Sequence, residues 1–156
     1  MPQILLLGQT RIMHVAAELG RLLGPLRRAL LRRTREAADL PDLPEAQIQL
    51  LRVLQAQQPL GTREVADRLR LAPSTVSNLV RTMTGNGLVL RRVSERDLRS
   101  TELAATDHAL QLLRRYDAAS DATMQEALDD LGPDDRRAVV DALPALRKLV
   151  ESLEKR

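Results

Sequence analysis

Apolar side chains recur every three or four residues over residues 11–38, which is the spacing of one face of an α-helix. Thr10 is placed to cap the start of this helix. Pro25 lacks an N–H group, so it is expected to kink the helix or to restart it. After a turn, the same apolar spacing predicts a second helix over about residues 44–57.

Two shorter helices separated by a tight turn are predicted next. Thr62 is placed to cap the first, over residues 63–70, and Pro73 lies at the start of the second. The second helix extends from about residue 74 to residue 86, where Gly87 supplies a left-handed stop.

Two extended stretches, residues 88–93 and 101–104, lie on either side of a polar segment at residues 94–100. Short apolar runs joined by a polar loop are typical of a β-hairpin. A hairpin directly after two short helices gives the element order of a winged helix-turn-helix, in which the hairpin is the wing.

Two long helices complete the pattern. Thr106 is placed to cap the first, over about residues 107–130. Pro133 begins the second, which continues to about Leu153 and is expected to bend at Pro144. The predicted fold is therefore mainly α with a small β-hairpin wing: a winged helix-turn-helix with long N- and C-terminal helices.

The composition excludes several classes of protein. The 156 residues include no cysteine, which removes disulfides, thiolate metal sites and cysteine nucleophiles. His14 and His108 are the only histidines, and neither has a partner at metal-ligand spacing. No catalytic constellation or glycine-rich phosphate loop is visible, so the chain is not expected to be an enzyme or to hold a metal or a cofactor. No apolar run suggests a membrane span or a signal peptide, which predicts a cytoplasmic protein.

The net charge of +3 conceals a segregation of charge along the chain. Residues 1–35 carry a net charge of +6 and residues 63–99 carry +4, whereas residues 36–62 carry −3 and residues 100–156 carry −4. A basic central segment is typical of a module that faces a polyanion, although scattered surface charge remains an alternative.

The second of the two short helices has an unusual polar face. Its apolar stripe consists of Val76, Leu79, Val80 and Met83. Ser74, Asn78 and Arg81 then lie on the opposite face, and Thr75, Ser77 and Thr82 flank it. Asn can pair with adenine, hydroxyls with several bases, and Arg with guanine or phosphate, so this face is suited to a DNA major groove. The alternative is an ordinary solvated face, but the Glu and Lys residues usual there do not occur between residues 74 and 86.

The hairpin loop is rich in arginine. An arginine at a protruding tip is attracted to the negative potential of a narrow minor groove. Asp97 would repel phosphate, so it is interpreted as an orienting partner for Arg99 or Arg96. A solvated surface ion pair, worth about 0–1 kcal/mol, is the alternative. The predicted DNA-binding set is Thr62, Arg63, Ser74, Thr75, Ser77, Asn78, Arg81, Arg96 and Arg99.

At these residues the sequence resembles the MarR family of bacterial transcription regulators. The matching segments are residues 43–47, 72–77, 87–89, 97–100 and 103–106. The Asp-x-Arg pattern of the wing is the more specific part of the match. Ala72 departs from the family pattern, since a capping residue is common there, and one cap of the recognition helix is therefore expected to be missing.

The resemblance implies a homodimer that binds a palindromic operator. The first, fifth and sixth helices would interlock, the recognition helix would enter the major groove, Arg99 the minor groove, and Asp97 would brace the wing. Members of the family usually repress transcription, and many release DNA when an anionic or phenolic effector binds between the two domains. The leucine-rich terminal helices independently favour dimerisation. The predicted dimer interface is Ile12, Val15, Leu19, Val139, Leu143, Leu146, Leu149 and Val150.

The sequence thus predicts three regions: an N-terminal arm and dimerisation helix (1–40), a winged helix-turn-helix that binds double-stranded DNA (41–104), and C-terminal dimerisation helices (105–156). The predicted function is a transcription regulator, most simply a nucleoid-associated repressor. The alternative is a winged-helix protein-interaction module that has lost DNA binding. The arginine cluster of residues 27–35 stays open between DNA backbone, an anionic effector and acidic helices of a second copy.

Overall fold

The computed structural model describes the backbone of residues 3–93 and 101–155 and the side chains of residues 14–93 and 101–155. In this part of the chain the helices are α1 (Gln3–Ala38), α2 (Glu45–Ala56), α3 (Thr62–Leu69), α4 (Pro73–Gly85), α5 (Asp107–Asp129) and α6 (Pro133–Glu154). The strands are β1 (Leu60–Gly61), β2 (Val89–Val93) and β3 (Thr101–Ala105). The prediction of a mainly α fold with a small β wing is confirmed.

The sheet has one strand more than the predicted hairpin. Its three strands are antiparallel in the order β1-β3-β2, and Leu60 of β1 lies opposite Leu103 of β3. The side-chain oxygen of Gln58 extends this edge by accepting a hydrogen bond from the Ala105 N–H at 2.7 Å. Because β1 has only two residues, it is too short to show the alternating pattern by which a strand is recognised.

The chain divides into two compact units, and residues 34–119 form the first. Its core draws on α2, α3, α4, the sheet and the start of α5. The largest apolar side chains that are fully buried there are Leu50, Leu51, Leu54, Leu60, Val65, Val76, Val80, Met83, Val89, Leu103 and Leu113. Aliphatic side chains thus fill this core, and Tyr116 is the one aromatic residue that joins them.

The second unit comprises the residues up to Arg33 and those from Ser120 onward. Arg136 of α6 donates hydrogen bonds to the backbone oxygens of Leu128 (3.0 Å) and Asp129 (2.8 Å) in the last turn of α5, where backbone oxygens lack partners within the helix. No residue of α6 from Pro133 to Glu154 is buried, so its apolar side chains are open to solvent in the single chain.

Two expectations about helix caps are wrong, and the restart considered at Pro25 does not occur. α1 begins at Gln3, so Thr10 lies inside it and not at its cap. α1 also continues through Pro25 without a restart, because proline has a helical φ and disturbs mainly the hydrogen bond of its own turn. Thr62 is the first residue of α3, and the cap is Gly61, whose N–H donates to the Glu64 carboxylate at 2.8 Å.

Other predicted helix ends are confirmed. The Thr106 hydroxyl accepts a hydrogen bond from the Ala109 N–H at 3.0 Å and so caps α5. α4 ends at Gly85, and Gly87, two residues beyond, has a left-handed φ of +69°. There the Leu88 N–H donates to the Met83 oxygen at 2.8 Å and the Gly87 N–H to the Thr84 oxygen at 3.1 Å, which is the Schellman arrangement. Along the described residues, no helix has both the length and the apolarity needed to cross a membrane.

Candidate nucleic-acid interface

α4 lies with one face in the core and the other in solvent. Val76, Val80 and Met83 are fully buried, whereas Ser74, Asn78 and Arg81 are exposed. This is the orientation that the apolar spacing predicts. An exposed helix face of hydroxyl, amide and guanidinium groups offers both donors and acceptors to the edges of base pairs.

Two residues of this face are joined to each other. Arg81 Nη1 donates a hydrogen bond to Asn78 Oδ1 at 3.2 Å, as residues three apart on a helix can. On the same helix, the Thr82 hydroxyl donates to the backbone oxygen of Asn78 at 3.3 Å. Thr82 is therefore engaged with the helix backbone, and Asn78 and Arg81 form the side-chain pair at the surface.

The remaining predicted residues of this region are distributed around the two short helices. Thr75 is exposed and Ser77 is half-buried. At the start of α3, Thr62 is half-buried and Arg63 is exposed. The structure thus leaves Thr75 and Arg63 more available to a large ligand than Thr62 and Ser77.

The N-terminus of α4 is uncapped by a side chain, as expected from Ala72 at the cap position. Pro73 occupies the first helical position and no acidic residue lies in the first turn. The partial positive charge of the helix start is therefore not neutralised locally, which favours the approach of a phosphate group.

The wing adds two basic side chains that the predicted set omitted. Arg91 and Arg92 of β2 are exposed, and Arg92 lies opposite Glu102 of β3 in the ladder. In the sequence they are adjacent arginines in a predicted strand, a pattern that indicates a basic segment but not which side chains contact DNA. Arg96, Asp97 and Arg99 lie outside the described residues.

Most of the residues predicted to form the dimer interface are exposed to solvent in the single chain. Val139, Leu143, Leu146, Leu149 and Val150 on α6 and Val15 on α1 are 38–54% exposed. Leu19 is half-buried, and the side chain of Ile12 lies outside the described residues. On α6 a groove is lined by Leu143, Leu146, Arg147, Val150 and Glu151. Apolar side chains exposed in a row on one helix are typical of a surface that another protein covers.

The arginine cluster of residues 27–35 forms ion pairs within the chain. Arg33 lies 3.8 Å from Glu126 of α5, and Arg35 pairs with Asp42. Among the described residues, no three His, Cys, Asp or Glu side chains are grouped so as to hold a metal ion. Both histidines are exposed, and Tyr116 is buried in the core, where its hydroxyl has no described partner.

Known proteins with the same organisation were found by sequence and by structure. The sequence model of the MarR family matches residues 43–101. The uncharacterized HTH-type transcriptional regulator YfiV of Bacillus subtilis (strain 168) is 25% identical over 114 residues, which is 73% of this chain and 71% of that protein. RV1404 from Mycobacterium tuberculosis has a TM-score of 0.75 at 17% identity, covering 90% of this chain and 94% of that one. A complex of S. aureus MepR with DNA has a TM-score of 0.60 at 22% identity, covering 83% and 98%. The solved structures share the fold described above.

Proposed function

Because residues 43–101 match the MarR family model, we propose that this chain is a DNA-binding transcription regulator of that family, which acts as a homodimer on a palindromic operator. The observation that carries the proposal is the free face of α4, where Ser74, Asn78 and Arg81 are exposed in a helix that contains no acidic residue. A solvated helix gains nothing from such a face, whereas a helix in the major groove uses each of these groups.

The roles of the individual residues follow from this placement. α4 enters the major groove with Ser74, Thr75, Asn78 and Arg81 toward the base edges, and Ser77 at the margin. Thr62 and Arg63 at the start of α3 lie against the sugar-phosphate backbone. MepR, which shares this fold, has been solved with DNA, and that complex supports the same mode of binding here.

The wing supplies the second part of the contact. Arg91 and Arg92 on β2 provide charge along the phosphate backbone. In our proposal Arg99 enters the minor groove, Arg96 assists it and Asp97 orients the arginine, which is the role that the resemblance implies. In this arrangement α4 recognises the base sequence, and the tip of the wing recognises the shape of the minor groove.

Dimerisation places two recognition helices on one operator. The exposed apolar side chains of α1 and α6 form the surface that the second copy covers. Two symmetric half-sites would have centres about 34–36 Å apart along the DNA. We propose that the dimer represses transcription in the cytoplasm, where it is associated with the nucleoid, and that a small anionic or phenolic effector releases it. The proposal assigns no reaction and no cofactor to the chain.

The test is a selection of bound duplexes from a random-sequence DNA pool, followed by fluorescence anisotropy with the selected duplex across a salt series. We expect a two-fold symmetric site and an affinity that falls steeply with salt, because phosphate contacts release counterions. Arg99→Ala should weaken binding roughly tenfold, whereas Arg137→Ala on α6, which removes the same charge, should change it by about twofold or less.

Two results would contradict the proposal. A protein that selects no sequence and shifts no duplex at low salt does not bind DNA as a regulator. Equal effects of Arg99→Ala and Arg137→Ala would assign the wing only a general electrostatic part. Release by effectors is tested separately, by adding small anions and phenols to the preformed complex.

A further inference from the structure

Asn78 and Arg81 occupy the centre of the free face of α4, and the usual interpretation gives each its own base. Asn would read adenine and Arg would read guanine. The hydrogen bond between them changes that assignment. We infer that Asn78 is a positioning residue, which holds the Arg81 guanidinium for one guanine and does not itself specify a base. This inference rests on the proposed function.

The orientation of the Asn78 amide is determined by chemistry. A guanidinium group only donates hydrogen bonds, so the atom that Arg81 Nη1 contacts at 3.2 Å must be the oxygen Oδ1 and not the nitrogen. The ambiguity between oxygen and nitrogen that affects most Asn side chains is therefore absent here. Oδ1 is also the atom that would have to accept from the adenine amino group, so adenine reading would require Asn78 to share or abandon this contact.

Arg81 keeps the donors that a guanine needs. With Nη1 turned toward Asn78, the edge formed by Nε and Nη2 has no partner among the described residues and can donate to guanine O6 and N7 together. Arginine loses considerable rotamer freedom when it binds, and a neighbour that fixes the guanidinium plane beforehand reduces that loss. Thr82 donates to the backbone oxygen of Asn78 and so leaves the amide of Asn78 to Arg81.

The two interpretations differ in which base pair becomes degenerate. If Asn78 positions Arg81, the variants Asn78→Ala and Arg81→Ala relax the preference at the same base pair. If Asn78 reads its own base, they relax different ones. Asn78→Asp sharpens the distinction, because it retains the acceptor for Arg81 but lacks the donor that adenine N7 requires.

The experiment measures the affinity of the wild type, the three single variants and the Asn78→Ala/Arg81→Ala double variant for the selected duplex and for its single base-pair substitutions. All five proteins are first compared by thermal melts, and Arg137→Ala on α6, which removes the same charge as Arg81→Ala away from the recognition helix, serves as the control. We expect Arg81→Ala to lose between about 5- and 150-fold, and Asn78→Ala about fivefold at the same base pair. The double variant should be no weaker than Arg81→Ala.

Asn78→Asp decides the matter, since its added negative charge lowers affinity for all duplexes but should leave the preference at that base pair intact. Loss of a preference for adenine at a separate base pair, or additive effects in the double variant, would overturn the inference while the proposed function stands. A wild type that selects no sequence would overturn both.

Discussion

Two threonines show that the contribution of a hydroxyl group to stability depends on its surroundings. Thr34, near the end of α1, is 1% exposed, and its Oγ1 has no hydrogen-bond partner among the described residues. Thr106 is half-buried, and its Oγ1 accepts from the Ala109 N–H and donates to the Gly87 oxygen at 2.8 Å. The same functional group is therefore a cost at one position and a cap at the other.

The substitution Thr→Val should consequently have opposite signs at these two positions. Thr34→Val removes an unpaired buried hydroxyl with little change of shape, and should raise the free energy of unfolding by about 1 kcal/mol. Thr106→Val removes a helix cap and should lower it by about 1 kcal/mol. Urea denaturation followed by circular dichroism, at one protein concentration, measures both. A loss of stability in Thr34→Val would mean that its hydroxyl is bonded in solution.

Three helices end in the same backbone arrangement with different residues. At the ends of α1, α3 and α4 the left-handed position is taken by Asp39 (φ +46°), Arg70 (φ +53°) and Gly87 (φ +69°). At each end an N–H donates to the oxygen five residues before it, as in the bond from Leu71 to the Ala66 oxygen. Only glycine adopts this conformation without a steric cost, so the turn between α3 and α4 carries strain at Arg70.

Exchanging the residue types should therefore move stability in opposite directions. Gly87→Ala should cost about 1–2 kcal/mol from backbone strain alone, because an added Cβ meets no atom within 4 Å. Arg70→Gly relieves the same strain and should raise the free energy of unfolding by about 1 kcal/mol. Any stabilising contacts of the Arg70 side chain are lost in this variant, and their contribution is subtracted from that gain. Asp39→Gly is the matched control with a smaller gain, since Asp tolerates this region better. Thermal and urea unfolding of the three variants measures these changes in stability. Stabilisation by Gly87→Ala would contradict the assigned steric cost of the left-handed conformation.

The elements that could be predicted are those with a repeating apolar pattern or a chemically distinct end. The spacing of Val76, Val80 and Met83 indicates the orientation of α4. Thr106 marks a helix start because its side chain can cap it, and Gly87 marks a helix end because glycine readily adopts a left-handed φ. β1 has no such signal, because its two residues are defined by pairing with Leu103, more than 40 residues away. The link between Asn78 and Arg81 was equally out of reach, since residue types indicate which groups can bind but not which of them bind each other.

At the scale of the whole molecule, the apolar side chains of α6 are the feature that a single chain leaves unexplained. Val139, Leu143, Leu146 and Val150 lie on one side of the helix and are 38–54% exposed, whereas Lys148 lies on the opposite side. A helix of this kind is stable in a soluble protein when its apolar stripe is covered. The proposed homodimer provides that cover.

A charge placed in this stripe should dissociate the dimer. Leu146→Glu would bury an unpaired carboxylate between the two copies, so we expect a monomer by size-exclusion chromatography with light scattering. The operator affinity should fall with it, because one copy contacts only a half-site. Lys148→Glu is the control, since it changes the charge of the same helix on its other face and should leave the dimer intact. A dimeric Leu146→Glu would place the interface elsewhere.

Tyr116 gives the molecule an unusual optical property. The chain contains no tryptophan and no phenylalanine, so this tyrosine, 5% exposed and packed in the core of residues 34–119, is its only near-ultraviolet chromophore. Its emission is not lost by energy transfer to an indole ring, and it arises from a single known position. Fluorescence of the unlabelled protein therefore reports on the packing of this one core. Neither DNA binding nor dissociation of the proposed dimer adds another protein fluorophore to the signal.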